Sequence, residues 1–442
     1  MKSAPSVLCS VILLILTCAA AGCFTGHTPE KPSVKLTIKV PTLAMTCTTN
    51  PNVREAYTIL TEAAADFSTQ YKDADVKIDI VKFDLAQEDN YIPKCFDTNL
   101  AADILYEDFF NMNTYIHTGR VVPLDDIIDE QWRRDVPTLY WRLSQIQGKT
   151  YMLPYLARQN VVGYNKSLFR TAGLDKYVYD GPEIQSWTLA EWEEILAALE
   201  ANLPDNTYAM AMYAKNEQSD THTMTWIRSH GSSMFDTNNR FHLNTPEGIA
   251  GLQWLKDNYD KNYYPPKSEN LVIRDCGKLF QNNQLAIKMV NGPSAEASGE
   301  NTGLVNFPSV DGKGIATTFI TGFEVFDNGD PLRLKVAKDF LKFFFHTEKY
   351  LDYSAGNMPV SMKVTEKYKD KIYRLEAFQK NADRIVDFTA GNPNWRGVRR
   401  VFYPHIQDLL RGTRTPAEVA ADIDQACNAE IEIGYQQSKL HP

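Results

Sequence analysis

Leu36, Ile38 and Val40 alternate with polar neighbours, a spacing that predicts a strand with one buried face. Beyond the Asn50–Pro51 punctuation, Ala56, Leu60, Ala63, Ala64, Phe67 and Tyr71 recur at helical spacing. Val76, Ile78 and Ile80 alternate again, and "ADILY" reads as a short buried strand ending at Tyr106, with a helical stretch to His117. Strand, helix, strand, helix, strand is the order of an α/β fold with a largely parallel sheet.

The second half keeps this order. Thr188 and Glu191 form a T-x-x-E capping box that opens a helix running through Leu199. Pro246 follows Thr245 at a first helical position, and Thr415–Pro416–Ala417–Glu418 combines both signals. "QLAIKMV" and "TTFITGFEVF" read as strands, the latter followed by the helix "LKVAKDFLKFFF". No repeat of fixed period interrupts the pattern.

The first residues change the picture of compartment. "MKSAPSVLCSVILLILTCAAAGC" carries one Lys, an apolar run from Val7 to Leu16 and small residues up to Cys23. The run is too short to span a bilayer and has the layout of a secretory signal. "AAGC" resembles a bacterial lipobox, with Ala20 where Leu is usual, which implies lipidation of Cys23 and a membrane-anchored, extracytoplasmic chain. A signal cleaved near Ala21, with Cys23 a spare thiol, is the other reading. Residues 1–22 are then the signal, and the polar stretch 23–33 a tether.

Forty-three per cent apolar residues over 442 positions suffice for full cores, and the formal charge is −9. With no basic stripe, nucleic acid is excluded as a default partner. No phosphate loop, G-x-G-x-x-G, H-E-x-x-H or G-x-S-x-G is present, and the eight histidines never fall at metal-ligand spacing. The expectation is no enzyme, no metal and no cofactor. Beyond Cys23, Cys47, Cys95, Cys276 and Cys427 admit three full pairings, or none.

Six segments in order carry a resemblance: "ADILYEDFFNMNTYIHTGRVVPL", "YMLPYLARQNVVGYNKSLFRTAGLD", "NTPEGIAGLQWLKDNY", "LFQNNQLAIKMVNGPS", "AKDFLKFFFHTEKY" and "PHIQDLLRGTRTPAEVAADIDQA". Together they resemble the extracellular solute-binding proteins of bacterial ABC importers, the sugar-binding group that includes the maltose-binding protein. The resemblance implies a periplasmic-binding-protein fold with two α/β lobes, 34–156 with 322–362 and 157–321 with 363–442. The chain would cross between them near Leu156–Gln159, Thr321–Glu324 and Asn357–Val364. That division puts Cys47 with Cys95 and Cys276 with Cys427, the two disulfides it favours. It also implies a monomer that holds a carbohydrate in the interlobe cleft and docks on ABC permease subunits. The rivals are a non-sugar solute (polyamine, peptide or phosphorylated compound), delivery to a membrane sensor, and a surface-anchored polysaccharide-active enzyme.

A sugar offers apolar C–H faces and a ring of hydroxyls, matched by aromatic plates and by Asp, Glu, Asn and Arg. Arg158, set between the apolar segments Tyr151–Leu156 and Val161–Tyr164, would face the cleft; the alternative is a structural ion pair at the hinge. Glu107 and Asp108 are its candidate partners or hydroxyl acceptors, and Asn111 a further hydroxyl partner. Trp395 is the leading stacking plate, because its sequence neighbours are polar; Arg396 and Arg399 read equally as solvated helix charges. Trp226, with His222 and Thr223, reads as cleft wall or core. Asn291 matches a cleft turn where Ser294 stands in place of the family's usual Trp. Phe323 reads as cleft aromatic or hinge packing.

Overall fold

The computed structural model describes residues 31–42, 56–83, 91–356 and 358–440. The signal, Cys23 and Cys47 lie outside them. The described strands are β1 (Ser33–Pro41), β2 (Asp75–Phe83), β3 (Ile104–Asp108), β4 (Gln145–Ile146) and β5 (Lys149–Thr150). They continue with β6 (Leu153–Asn165), β7 (Tyr208–Met210), β8 (Leu285–Asn291), β9 (Thr302–Val305) and β10 (Thr317–Val325). The alternating segments read from sequence appear as β1, β2, β8 and β10. The capping boxes at Thr188 and Thr415 both form, opening the helices Leu189–Asn202 and Pro416–Gln437. Such a cap satisfies backbone N–H groups that the first helical turn leaves without partners.

One mixed sheet runs through the molecule in the order β2-β1-β3-β10-β6-β8-β7, with β9 also on β6; β4 and β5 make a separate hairpin. Its flanks are parallel, β1 with β2 and β3 on one side and β7 with β8 on the other. The centre is antiparallel, because β6 and β10 are long strands running against each other. β6 meets β10 from Leu153 to Asn160, then passes on to pair with β8 and β9. β10 pairs with β3 through Thr321–Val325. A third segment lies beside β6, with the Ala157 amide donating to the Met358 carbonyl at 2.8 Å.

The β10–β6 register shifts between Thr321 and Gly322. Gly322 is required there, since a Cβ would sit 2.4 Å from the Leu153 carbonyl oxygen. Apolar side chains collect in two main cores. One joins Leu36, Ile38 and Ile104 to Phe340 and Phe344 of the helix Pro331–His346. The other gathers Trp192, Trp226, Phe402 and Ile431 around the later strands and helices. Among the described residues no helix is long and apolar enough to cross a membrane.

Candidate functional site

A cavity of about 540 Å³ opens where the parallel pair β7–β8 ends. In open α/β sheets the carboxyl ends of strands are where ligands settle, because the loops there spread apart. Met210, Ala211 and Tyr213 come from β7 and the chain after it, Asn291 from the end of β8, and Ser294 from the helix Gly292–Ala297. Asn160 of β6 and Phe319 of β10 close the side towards the central strands. The volume is that of a small-solute site. A smaller cavity of about 350 Å³ lies beside Trp132, Phe345 and His346, away from these strand ends.

The wall carries aromatic surface. His222, in the first turn of the helix Asp220–Arg228, lies flat on Tyr213 with centroids 3.7 Å apart. Trp226, one turn further on, reaches the cavity with one edge and is otherwise packed among Trp192, Trp254 and Phe307. His222 Nε2 accepts the Tyr213 amide at 3.4 Å, so Nδ1 carries the hydrogen, and Nδ1 has no partner. Burial pushes this imidazole down to about 3, because a buried cation loses its hydration. The Tyr213 hydroxyl is likewise buried without a partner. Asn291 is held by its own turn, its side chain accepting the Ser294 amide at 3.1 Å. The rim cations are Arg274 and Lys278 of the helix Ile273–Gln281, facing Lys288 of β8.

A second group of expected residues stands at the junction of β3, β10 and β6. Arg158 Nη2 donates to Asp108 Oδ1 at 3.0 Å and to Thr321 Oγ1 at 3.1 Å. Glu107 is buried and accepts from the Asn111 amide and, at 3.2 Å, from the Tyr115 hydroxyl. Burial drives its carboxyl up to about 7, against the pull of these bonds and of Arg396. Asn111 is the N-cap residue of the helix Met112–His117 and is buried, not an exposed helix polar group. None of these four lines the cavity. Phe319 connects the two groups, as it sits opposite Arg158 in the sheet and lines the cavity.

Four expectations are corrected. Trp395 is 0 % exposed and packs against Phe388 and Phe241, with centroids at 5.9 and 6.3 Å. Its polar sequence neighbours are capping groups: Asn392 accepts the Asn394 amide, and Asn394 accepts the Gly397 amide. They turn the chain so that the first helical residue points inward. Phe323 is 1 % exposed in a cluster with Tyr106, Tyr155 and Phe344. The register shift at Thr321/Gly322 adds its extra residue, Tyr155, to β6 and leaves β10 regular; Phe323 is buried because β10 passes in four residues from the core beside Phe319 to the one around Phe344. Thr223 is wholly buried and does not reach the cavity. Cys276 and Cys427 are free buried thiols, as is Cys95, whose Sγ lies 3.0 Å from Lys39 Nζ.

Sequence reasoning missed Tyr213, Phe319 and the rim cations, and it missed Phe110. The Phe110 ring lies 4.7 Å from Phe319 and 5.4 Å from Phe388, with the Arg399 guanidinium 5.1 Å above it. Arg399 is not a solvated charge, since its Nε lies 2.8 Å from the buried Asp220. The run "DFFNM" after a strand was the available signal, an apolar pair where a polar loop would be ordinary.

The family model for bacterial extracellular solute-binding proteins matches residues 50–350. A binding protein of Brucella abortus (strain 2308) is 23% identical over 181 residues, 40% of this chain. The match spans 41% of that relative's length. Among solved structures, the GacH receptor of Streptomyces glaucescens, determined free and with acarbose, superposes with a TM-score of 0.69 at 16% identity. The match covers 91% of this chain and 99% of that one. The cyclic α-maltosyl-1,6-maltose binding protein of Arthrobacter globiformis gives 0.70 at 19% identity, covering 91% and 100%. A solute-binding protein of Thermotoga lettingae bound with α-D-tagatose gives 0.69 at 16%, again covering 91% and 100%. At these identities the likeness is one of fold, the two-lobed architecture of solute receptors.

Proposed function

This chain belongs to the bacterial extracellular solute-binding proteins, and from that premise we propose that it captures a carbohydrate and hands it to an ABC permease. The observation that carries the reading is the 540 Å³ cavity at the strand ends, walled by Tyr213, His222, Trp226 and Phe319. Rings of this kind meet the C–H faces of a sugar, while unpartnered buried donors beside them meet its oxygens. The binding of acarbose, a maltosyl-maltose and tagatose by proteins of the same fold supports the choice of solute class. A cationic solute is not favoured, because Glu107 and Asp108 are engaged by Asn111, Tyr115, Arg158 and Thr321.

In this reading the protein does no covalent chemistry. Solute bound on the β7–β8 wall favours the arrangement in which the Phe110 loop covers it, and the covered form is what the permease recognises. The protein acts as a monomer outside the cytoplasm, lipid-anchored through Cys23. Thermal-shift screening of mono- and oligosaccharides against amines and amino acids, followed by calorimetry, tests the solute class. Stabilisation by amines or amino acids alone would overturn it. Release of a Cys23→Ser variant from the membrane fraction tests the anchor.

A further inference from the structure

The charge on the cavity wall narrows the solute further. Its ionisable lining groups are Arg274, Lys278 and Lys288 with His222 and the weak acids Tyr213 and Cys276; among the described residues no Asp or Glu lines it. Arg274 and Lys278 stand one turn apart on the helix Ile273–Gln281, both exposed at the opening. Neither forms an ion pair among the described residues. Lys288 extends from β8 with its ammonium 4.9 Å from the Phe280 ring. The nearby carboxylates are committed elsewhere. Asp275 accepts the Val272 amide at 3.0 Å, and Asp220 lies 2.8 Å from Arg399. Deeper in, the free atoms are the Nδ1–H of His222 and the Tyr213 hydroxyl.

Each hydroxyl of a neutral sugar has one proton to donate, and a neutral sugar gives a cluster of cations no countercharge. This wall offers amide oxygens at Asn160, Gln281 and Asn291, but its charged side chains among the described residues are all cations. Charge-assisted hydrogen bonds to an anionic group are its strongest available interaction. We propose that the solute is an acidic saccharide, bearing a carboxylate or a sulfate ester. Its anionic group is held by Arg274 and Lys278, and its ring lies against Tyr213 and His222. The inference rests on the carbohydrate reading above and specifies its substrate class.

The experiment is calorimetry on the mature chain with a galacturonate trimer, its carboxyl-reduced neutral counterpart and a sulfated chondroitin disaccharide. At least one acidic probe is expected to bind about tenfold or more tighter than the neutral trimer, with affinity falling as salt rises. The carboxylate and sulfate arms identify which anion is preferred. Arg274→Gln combined with Lys278→Gln is expected to weaken the acidic probe about tenfold, and both sites are exposed, so the melting temperature should hold. Equal or tighter binding of the neutral trimer, or an unaffected double variant, overturns the anionic assignment and leaves carbohydrate capture standing. Binding of no saccharide, charged or neutral, overturns the carbohydrate reading itself.

Discussion

Arg158 of β6 reaches across β10 to Asp108 at the end of β3, with 3.0 Å between Nη2 and Oδ1. Both side chains are about one quarter exposed, so solvent screens the pair only in part. Thr321 of the intervening strand bonds to both, which makes the three groups one unit across three strands. Arg158 therefore works as a structural clamp at the central strands rather than as a wall of the cavity. A double-mutant cycle of Arg158→Met and Asp108→Asn should give a coupling of about 1 kcal/mol in urea unfolding. A coupling indistinguishable from zero would remove the clamp.

Trp395 begins the helix Trp395–Arg411 with its indole wholly enclosed. Trp395→Ala should cost about 3–5 kcal/mol of stability, through lost transfer energy and the void left behind. Solute affinity of the folded fraction should change little. A variant of normal stability that no longer binds would return Trp395 to the site.

Glu107 makes stability depend on pH with a stated sign. Burial raises its carboxyl from 4.5 to about 7 with a small push from the Asp108 charge, and Glu107 in turn helps raise the buried Glu324. The folded state holds the proton more tightly than the unfolded chain. The contribution is complete below about 4.5 and is lost as pH rises through 7. Glu107→Gln should shrink the fall in unfolding free energy between about pH 5 and pH 8 by about 2–3 kcal/mol. An unchanged pH slope in chemical denaturation refutes the assignment.

Cys276 and Cys427 are unpaired, and burial raises both thiols, Cys276 to about 12. Iodoacetamide should leave them untouched in the native protein, since the thiolate is the nucleophile. In denaturant without reductant both should be alkylated, as read by peptide mass spectrometry. A Cys276–Cys427 disulfide-linked peptide would contradict the structure.

Local periodicity was enough for the strands β1, β2, β8 and β10 and for the capped helices, because each of those signals lies within a few residues of chain. The placement of side chains around the cavity was less legible. Asn291, Ser294, His222 and Trp226 could be found because their segments have characteristic turns or helix starts. Trp395 misled because capping asparagines look like a solvated loop until their hydrogen bonds are known. Phe319 and Phe323 carry the same apolar signal four residues apart, and only the passage of β10 from one core to the other separates them. Arg274 and Lys278 carry ordinary helix-surface spacing. Only the packing of Ile273–Gln281 beside β8 turns them towards Tyr213 and His222, some sixty residues earlier in the chain.

The shared run of β6 and β10 has a mechanical consequence. Any rotation of one half of the molecule against the other has to be absorbed where β6, β10 and the segment around Met358 and Val360 run side by side. Such a rotation would strain the main-chain hydrogen bonds near Gly322, where no larger residue fits. Substitutions on the outer helices can tune stability while leaving those bonds as they are.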